Sequence, residues 1–209
     1  MARVILHVDA NSYYASVECV YRPWLKEKPV SVCGDPAERH GIVLTSTIPA
    51  KRRGVKTGMA IWQAKQVCPE LIILPADYAL YVHFSGMMRA ILEEYSDRVE
   101  PFGLDESWVD LSAPDMTIED GARAADEIRT RVREELGITV SVGVSFNKVF
   151  AKLGSDMKKP DATTVLPPES FRGRVWCLPA ADLLYVGSRT ARKLADLGIH
   201  TIGDLACAP

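Results

Sequence analysis

The sequence predicts an α+β fold, with an antiparallel or mixed sheet backed by two long helices on one face. Three observations lead there. Apolar runs of strand length recur at residues 4–8, 99–102, 107–111 and 139–144. Two long stretches, one from Tyr78 and one from Thr117, repeat apolar residues at helical spacing. From Val99 the order is strand, strand, helix, strand, helix, which stacks helices on a sheet rather than alternating them through it.

Each element has a local signal. Val4 to Val8 is a continuous apolar run that ends at Asp9, and Asn11 or Ser12 is placed to cap a helix from Tyr13 to Val20. A strand-to-helix turn there sets a carboxylate at a sheet edge. Residues 29–34 and 41–45 read as two short strands, followed by the basic segment 51–56 and a short helix from Ile61 to Val67, together a small α/β insert. Leu80, Phe84, Met87, Met88, Ile91, Leu92 and Tyr95 then mark one face of a long helix, a stripe better suited to a core than to a cofactor. Residues 99–102 and 107–111 form two strands meeting at a tight turn, with Asp105 and Glu106 at its tip. Thr117 and Asp120 make a capping-box pattern at the start of the second long helix, which runs through Ala122, Ala125, Ile128, Val132 and Leu136 to Gly137. Residues 139–144 alternate with period two, and Asn147 caps a helix from Lys148 to Met157. In the tail, Val186-Gly187-Ser188 leads a helix to Leu197, Gly198 ends it, and Thr201 opens another.

With 47% hydrophobic and 25% charged residues, the 209-residue chain has enough apolar material for one sizeable core with small appended lobes, and disorder is excluded. No stretch approaches the roughly 20 apolar residues of a membrane span, and Asp9 arrives too early for a signal peptide, so a cytoplasmic protein is expected. Five scattered cysteines without a Cys-x-x-Cys pair suggest neither a disulfide framework nor a zinc site. A net charge of −2 argues, taken alone, against nucleic-acid binding.

One carboxylate after the first strand and two at a hairpin tip can converge at a sheet edge and offer the oxygen ligands that Mg²⁺ prefers. Two such ions about 3.5–4 Å apart serve an in-line displacement at phosphorus. Solvated turn residues would show the same Asp-Glu pair, and spacing does not decide between the two.

Larger motifs do. The segment from Val8 to Glu18 resembles the first motif of the Y-family polymerases, of the polymerase IV and plasmid-borne mutagenesis-protein kind. Residues 103–110 resemble their second, acidic motif, and residues 143–153 with 155–160 resemble their third. The resemblance implies a lesion-bypass DNA polymerase that transfers a nucleotide from a dNTP to a primer 3′-OH. It implies a palm of residues 1–10 and 77–166, fingers of 11–76 and an incomplete thumb of 167–209. By the same resemblance Asp9, Asp105 and Glu106 are the catalytic metal ligands, joined by the Ala10 carbonyl, for two Mg²⁺ ions with Mn²⁺ as the alternative. Tyr14 falls at the steric gate that rejects a 2′-hydroxyl. Tyr13 and Tyr14 offer backbone N–H groups to phosphate, Thr45 a hydroxyl and Lys159 a charge. The family's Tyr-x-x-Arg in the fingers is replaced by Ile48-Pro49-Ala50-Lys51; Lys51 keeps charge without the planar fork. Small Ser12 leaves room around sugar or template base.

The tail resembles a helix-hairpin-helix with half of its Gly-x-Gly turn. Tyr185 replaces the first glycine, Gly187 keeps the second, and Arg189, Arg192 and Lys193 stand ready for DNA phosphates; a plain helical hairpin is the alternative. The expected partners are primer-template DNA, dNTP and a sliding clamp reached through a C-terminal region, and the expected state is a monomer. Family members continue into a basic, DNA-gripping little-finger domain. The expectation is that this chain stops before it, which would explain the near-neutral charge and imply weak DNA binding with a shallow salt slope. Two rival functions share the carboxylates: a two-metal nucleotide cyclase or phosphohydrolase, and a DNA-binding paralogue without catalysis.

Overall fold

The computed structural model describes residues 3–34 and 41–209. Residues 1–2 of the expected palm and 35–40 of the expected fingers lie outside that description. In chain order the elements are β1 (Ile5–Ala10), α1 (Tyr13–Tyr21), β2 (Val30–Cys33), β3 (Val43–Ser46), α2 (Ile48–Arg52), α3 (Ile61–Val67), β4 (Ile72–Pro75), α4 (Tyr78–Glu93), β5 (Val99–Phe102), β6 (Glu106–Asp110), α5 (Ile118–Leu136), β7 (Val140–Ser145), α6 (Lys148–Met157), β8 (Thr163–Leu166), α7 (Phe171–Val175), α8 (Ser188–Asp196) and α9 (Ile202–Cys207). The chain divides into two compact units. One takes residues 1–9, 92–130 and 140–209; the other takes 10–91 and 131–139. Among the described residues no helix is long and apolar enough to cross a membrane.

The first unit is built on a five-stranded sheet of order β5-β6-β1-β7-β8. β6 is antiparallel to both β1 and β5, whereas β8 runs parallel to β7, so the sheet is mixed. β1 and β7 are buried along their whole length; the apolar run of β1 suits a strand covered on both faces, whereas β7 alternates valine with serine and glycine and is buried on both faces all the same. β8 is the strand that periodicity misses, because Thr163-Thr164-Val165-Leu166 is short and follows a turn-rich segment. α5 begins as predicted: the Thr117 N–H and hydroxyl donate to Asp120 Oδ2, and the Asp120 N–H donates to Thr117 Oγ1. α6 is capped by Asn147, whose side chain accepts from the Phe150 N–H at 2.8 Å.

α6 lies almost on top of β7. A Cβ added at Gly143 would stand 1.9 Å from the Ala151 carbonyl oxygen and 2.5 Å from the Ser155 nitrogen, and one at Gly154 would stand 3.2 Å from the Gly143 Cα. Only a glycine lets the two backbones approach this closely.

The second unit holds a three-stranded sheet of order β3-β2-β4, with β2 antiparallel to β3 and parallel to β4. Cys33, Val43, Ala50, Val55, Ala64, Cys68 and Leu71 form its small core. β4 is a further strand not foreseen from the sequence, its Ile-Ile-Leu run being only half-buried. α4 buries Tyr81, Phe84, Met88, Ile91 and Leu92. Leu80 and Met87 of the predicted stripe are only half-buried, because an arc wide enough to include them exceeds the face that is covered.

Two local expectations are corrected. Ser12 occupies the N-cap position of α1 but does not cap it: its φ is 50° and its side chain makes no bond to the helix N–H groups. Its hydroxyl instead accepts from Lys51 Nζ at 2.7 Å. The acidic pair straddles the end of the hairpin turn: the β5–β6 turn spans residues 103–105, so Asp105 is a turn residue while Glu106, expected before the strand, is the first residue of β6 and pairs with Phe102. Gly103 allows this, with φ 77° in the left-handed region.

In the tail, α8 starts at Ser188 with Gly187 as N-cap at φ −74°, and Thr201 caps α9 with Asp204. Tyr185 takes φ 68° and leaves its ring 81% exposed. A left-handed φ that favours glycine is thus taken here by an aromatic residue. Arg189, Arg192 and Lys193 are all exposed, spaced along one face of α8.

Candidate active site

Strand alternation puts His7 and Asp9 on one face of β1, and the antiparallel register sets Asp9 directly opposite Glu106 on β6. α6, resting on β7, brings up Lys152 and Asp156 one turn apart, and Lys159 follows the helix. These groups form one network in the first unit. Lys152 Nζ lies 3.1 Å from Asp9 Oδ2, 2.9 Å from Glu106 Oε2 and 3.1 Å from Asp156 Oδ2. Lys159 Nζ lies 2.8 Å from both Asp9 Oδ2 and Asp156 Oδ1. Two ammonium groups are thus threaded among carboxylates that burial would otherwise force apart.

Behind them His7 is fully buried, with Nδ1 2.9 Å from the Ser155 hydroxyl and its ring edge-on to Trp108. His7 Nε2 stands 3.1 Å from Glu106 Oε2. Neither this contact nor that from Lys152 is well aligned as a hydrogen bond to Oε2, although both stand within hydrogen-bonding distance of it. Burial pulls the His7 imidazole below its ordinary value against the opposing pull of Glu106, which favours the neutral ring. For Glu106, burial pushes the carboxyl up, but His7 and Lys152 outweigh it and hold it at about 2. Burial alone would lower Lys152 too, yet Asp9 and Glu106 raise it, so its ammonium is secure.

Asp105 is the exception. Burial, then the neighbouring charges of Asp9 and Glu106, push its carboxyl up to about 6. Of the three expected metal ligands, Asp9 and Glu106 come together with His7, their ligand atoms all within 4.8 Å of one another. Asp105 lies outside that group and feels its charge. The donor set fits a hard divalent cation: Asp9, Asp105 and Glu106 offer oxygen, Asp105 is under-neutralised, and Glu106 Oε2 has a lone pair without a well-aligned donor. Ala10, the expected carbonyl ligand, closes β1 beside Asp9.

The predicted DNA-binding residues Gly187, Arg189, Arg192 and Lys193 belong to the first unit, and the remaining nucleotide-binding residues fall in the second. Tyr13 is buried and Tyr14 half-buried at the first turn of α1, Thr45 is half-buried in β3 opposite Val32, and Lys51 is on α2 at its bond to Ser12. Sequence reasoning left His7, Glu18, Tyr81, Lys152 and Asp156 without roles. A signal existed for two of them: His7 shares the strand face of Asp9, and Asp156 follows Lys152 by one helical turn.

The impB/mucB/samB family model matches residues 8–156. The chain is 56% identical over 206 residues to DNA polymerase IV of Acetivibrio thermocellus, covering 99% of this chain and 52% of that protein. It is 46% identical over 207 residues to DNA polymerase IV 1 of Bacillus subtilis, covering 99% and 50%. The chain therefore spans about half the length of the curated relatives it matches. Among solved structures, DinB from Sulfolobus solfataricus is similar with a TM-score of 0.90 at 31% identity, covering 99% of this chain and 60% of that one. The insertion ternary complex of Dbh DNA polymerase gives 0.93 at 32%, covering 99% and 61%.

Proposed function

This chain belongs to the impB/mucB/samB family, and from that membership we propose that it carries the catalytic centre of a lesion-bypass DNA polymerase. Its substrates are a primer-template DNA and a dNTP. The observation that carries the reading is the pairing of Asp9 with Glu106 across β1 and β6, with Asp105 close enough to be pushed up by their charge. Asp9, Asp105, Glu106 and the Ala10 carbonyl would hold two Mg²⁺ ions, or Mn²⁺ in their place, whose chemistry there would be Lewis acidity toward the reacting phosphate oxygens.

The chain's own residues do the rest. Glu106 keeps its negative charge near neutral pH through His7 and Lys152, while Lys152 and Lys159 both reach Asp9. Lys159, already at the carboxylates, neutralises the triphosphate, assisted by Thr45, Lys51 and the backbone N–H groups of Tyr13 and Tyr14. Tyr14 is the steric gate. Gly187, Arg189, Arg192 and Lys193 contact the DNA backbone. The palm is 1–10 and 77–166, the fingers 11–76 and the thumb 167–209; the protein works in the cytoplasm as a monomer, and a sliding clamp engages it through a C-terminal region.

Primer extension with Mg²⁺ on a defined template, run beside an assay of nucleotide hydrolysis and cyclisation, tests the reading. Template-dependent extension supports it, and hydrolysis or cyclisation without extension transfers the carboxylates to a different reaction. Tyr14→Ala is expected to raise ribonucleotide use relative to deoxyribonucleotide by about 10²-fold, as a packed ring ceases to exclude one hydroxyl; single-nucleotide kinetics with matched rNTP and dNTP give the ratio. Lys51→Ala is expected to weaken nucleotide binding by about fivefold, the scale of one partly exposed charge contact. Ile48→Ala, removing no charge, changes it less. Equal nucleotide affinity for Lys51→Ala and the parent would show that the Ser12–Lys51 bond is purely structural.

A further inference from the structure

Behind Tyr14 lies a chain of contacts that the proposed reaction does not use. Tyr81 on α4 is fully buried, and its ring stacks on that of Tyr14 with centroids 4.3 Å apart and planes 17° from parallel. Its hydroxyl donates at 2.7 Å to Glu18 Oε1, and its backbone carbonyl accepts from the Tyr13 hydroxyl at 2.6 Å. Glu18 is 2% exposed. A carboxylate buried to that degree persists only when paired and hydrogen-bonded. Its second oxygen forms an ion pair with Arg22, one helical turn on and reaching solvent. Arg22, Glu18 and Tyr81 thus form a line of polar contacts inside an otherwise apolar helix packing, ending on the face of the Tyr14 ring.

A purely apolar residue at position 18 would fill the same space without the cost of burying a charge. What the carboxylate adds is direction. The Tyr81 hydroxyl has a fixed acceptor, so its ring cannot turn or slide, and the Tyr14 ring stacked on it is held in one plane. Tyr78 closes a second side, edge-on to Tyr14 at 6.0 Å. A side chain that discriminates by occupying the space of one hydroxyl works only if it cannot yield.

We propose that Glu18 is a positioning residue for sugar discrimination, acting through Tyr81 to hold the Tyr14 ring rigid. The inference rests on Tyr14 being the gate, as proposed above. Burial raises the Tyr81 phenol above its ordinary value, so it remains the donor to Glu18 throughout the working pH range.

The test uses the intact 209-residue chain with a dideoxy-terminated primer-template, titrated with the matching dNTP and rNTP in Mg²⁺. The variants are Tyr81→Phe, which keeps the stacked ring and loses its anchor, Glu18→Leu, the double variant and Tyr14→Ala. Loss of one buried hydrogen bond is expected to reduce the preference for dNTP over rNTP by about fivefold in each single variant. The double variant should lose no more than either single one, because both cut the same line. In a Tyr14→Ala background, Tyr81→Phe should change nothing. If Tyr81→Phe and Glu18→Leu keep the parental preference while Tyr14→Ala loses it, the gate stands and the positioning role of Glu18 is overturned; a lower melting temperature alone would then mark a structural part. If Tyr14→Ala keeps the parental preference, or the parent binds neither nucleotide, the reading beneath the inference fails and takes the inference with it. Should Glu18→Leu not fold, Tyr81→Phe, which deletes a single oxygen, decides.

Discussion

Asp105→Asn is expected to abolish nucleotide incorporation, a fall of about 10³-fold or more, while raising the stability of the metal-free chain. The two effects share one cause. Asp105 is destabilised by burial and by Asp9 and Glu106, more than the nearby charge of Lys152 offsets, until its carboxyl sits at about 6. An amide cannot supply the anionic oxygen on which several kcal/mol of transition-state charge stabilisation depends, yet it removes the repulsion. Because the folded chain holds this proton more tightly than the unfolded chain, whose carboxyl has the ordinary value of 3.8, the parent loses stability as pH rises through about 4 to 6. Asp105→Asn lacks that slope and should be more stable by about 1–2 kcal/mol at pH 7 in EDTA. Urea melts of both proteins at pH 4, 5, 6 and 7, with primer extension at pH 7, check the pair of claims. Extension at the parental rate would remove Asp105 from the centre, and parallel melts at every pH would show that its carboxyl is not destabilised.

Gly143→Ala is expected to destabilise the fold by more than about 3 kcal/mol, lowering the melting temperature by about 10 °C. The added carbon meets backbone, not a flexible side chain: Ala151 O at 1.9 Å and Ser155 N at 2.5 Å. α6 would have to lift from β7, and α6 carries Lys152 and Asp156 into the carboxylate network. Whatever fraction still folds should therefore show weaker activity than its folded population accounts for. Thermal melts with activity normalised to folded protein measure both. Gly173→Ala, with nothing within 4 Å of the added carbon, is the matched control and should melt like the parent.

Much of this was legible in the sequence, for reasons that differ by element. β1, β7 and the two long helices follow from unbroken or periodic apolar runs, and Asn147 and Thr117 cap where their side chains allow. β4 and β8 were missed, though β2, β3 and β5 are no longer, because β4 is partly exposed throughout and β8 opens on two threonines after a turn-rich segment. Ser12 misled because a hydroxyl at a helix start has a second option, and Lys51, thirty-nine residues away, takes it. At the site the acids were visible in their motifs. Lys159 was visible too, as a phosphate contact, but its approach to Asp9 and that of Lys152 were not, because both form only after α6 docks on the sheet. Glu18 and Tyr81 were hidden for the same reason: sixty-three residues separate the two ends of their hydrogen bond.

The lysines already occupy oxygens of Asp9, Glu106 and Asp156, so the site is in part an internal salt, with Asp105 as the charge it leaves unanswered. A cation arriving at the occupied oxygens must displace an ammonium, so its uptake is an exchange and not an addition, and its apparent affinity is a difference between two sets of contacts. A displaced ammonium in turn needs an anion, and a phosphate chain is one. Cation and phosphate therefore favour each other's entry through Lys152 and Lys159, each repairing the imbalance the other creates. Joint uptake leaves the net charge of the pocket nearly constant, so it should depend on ionic strength less steeply than uptake of either ion alone.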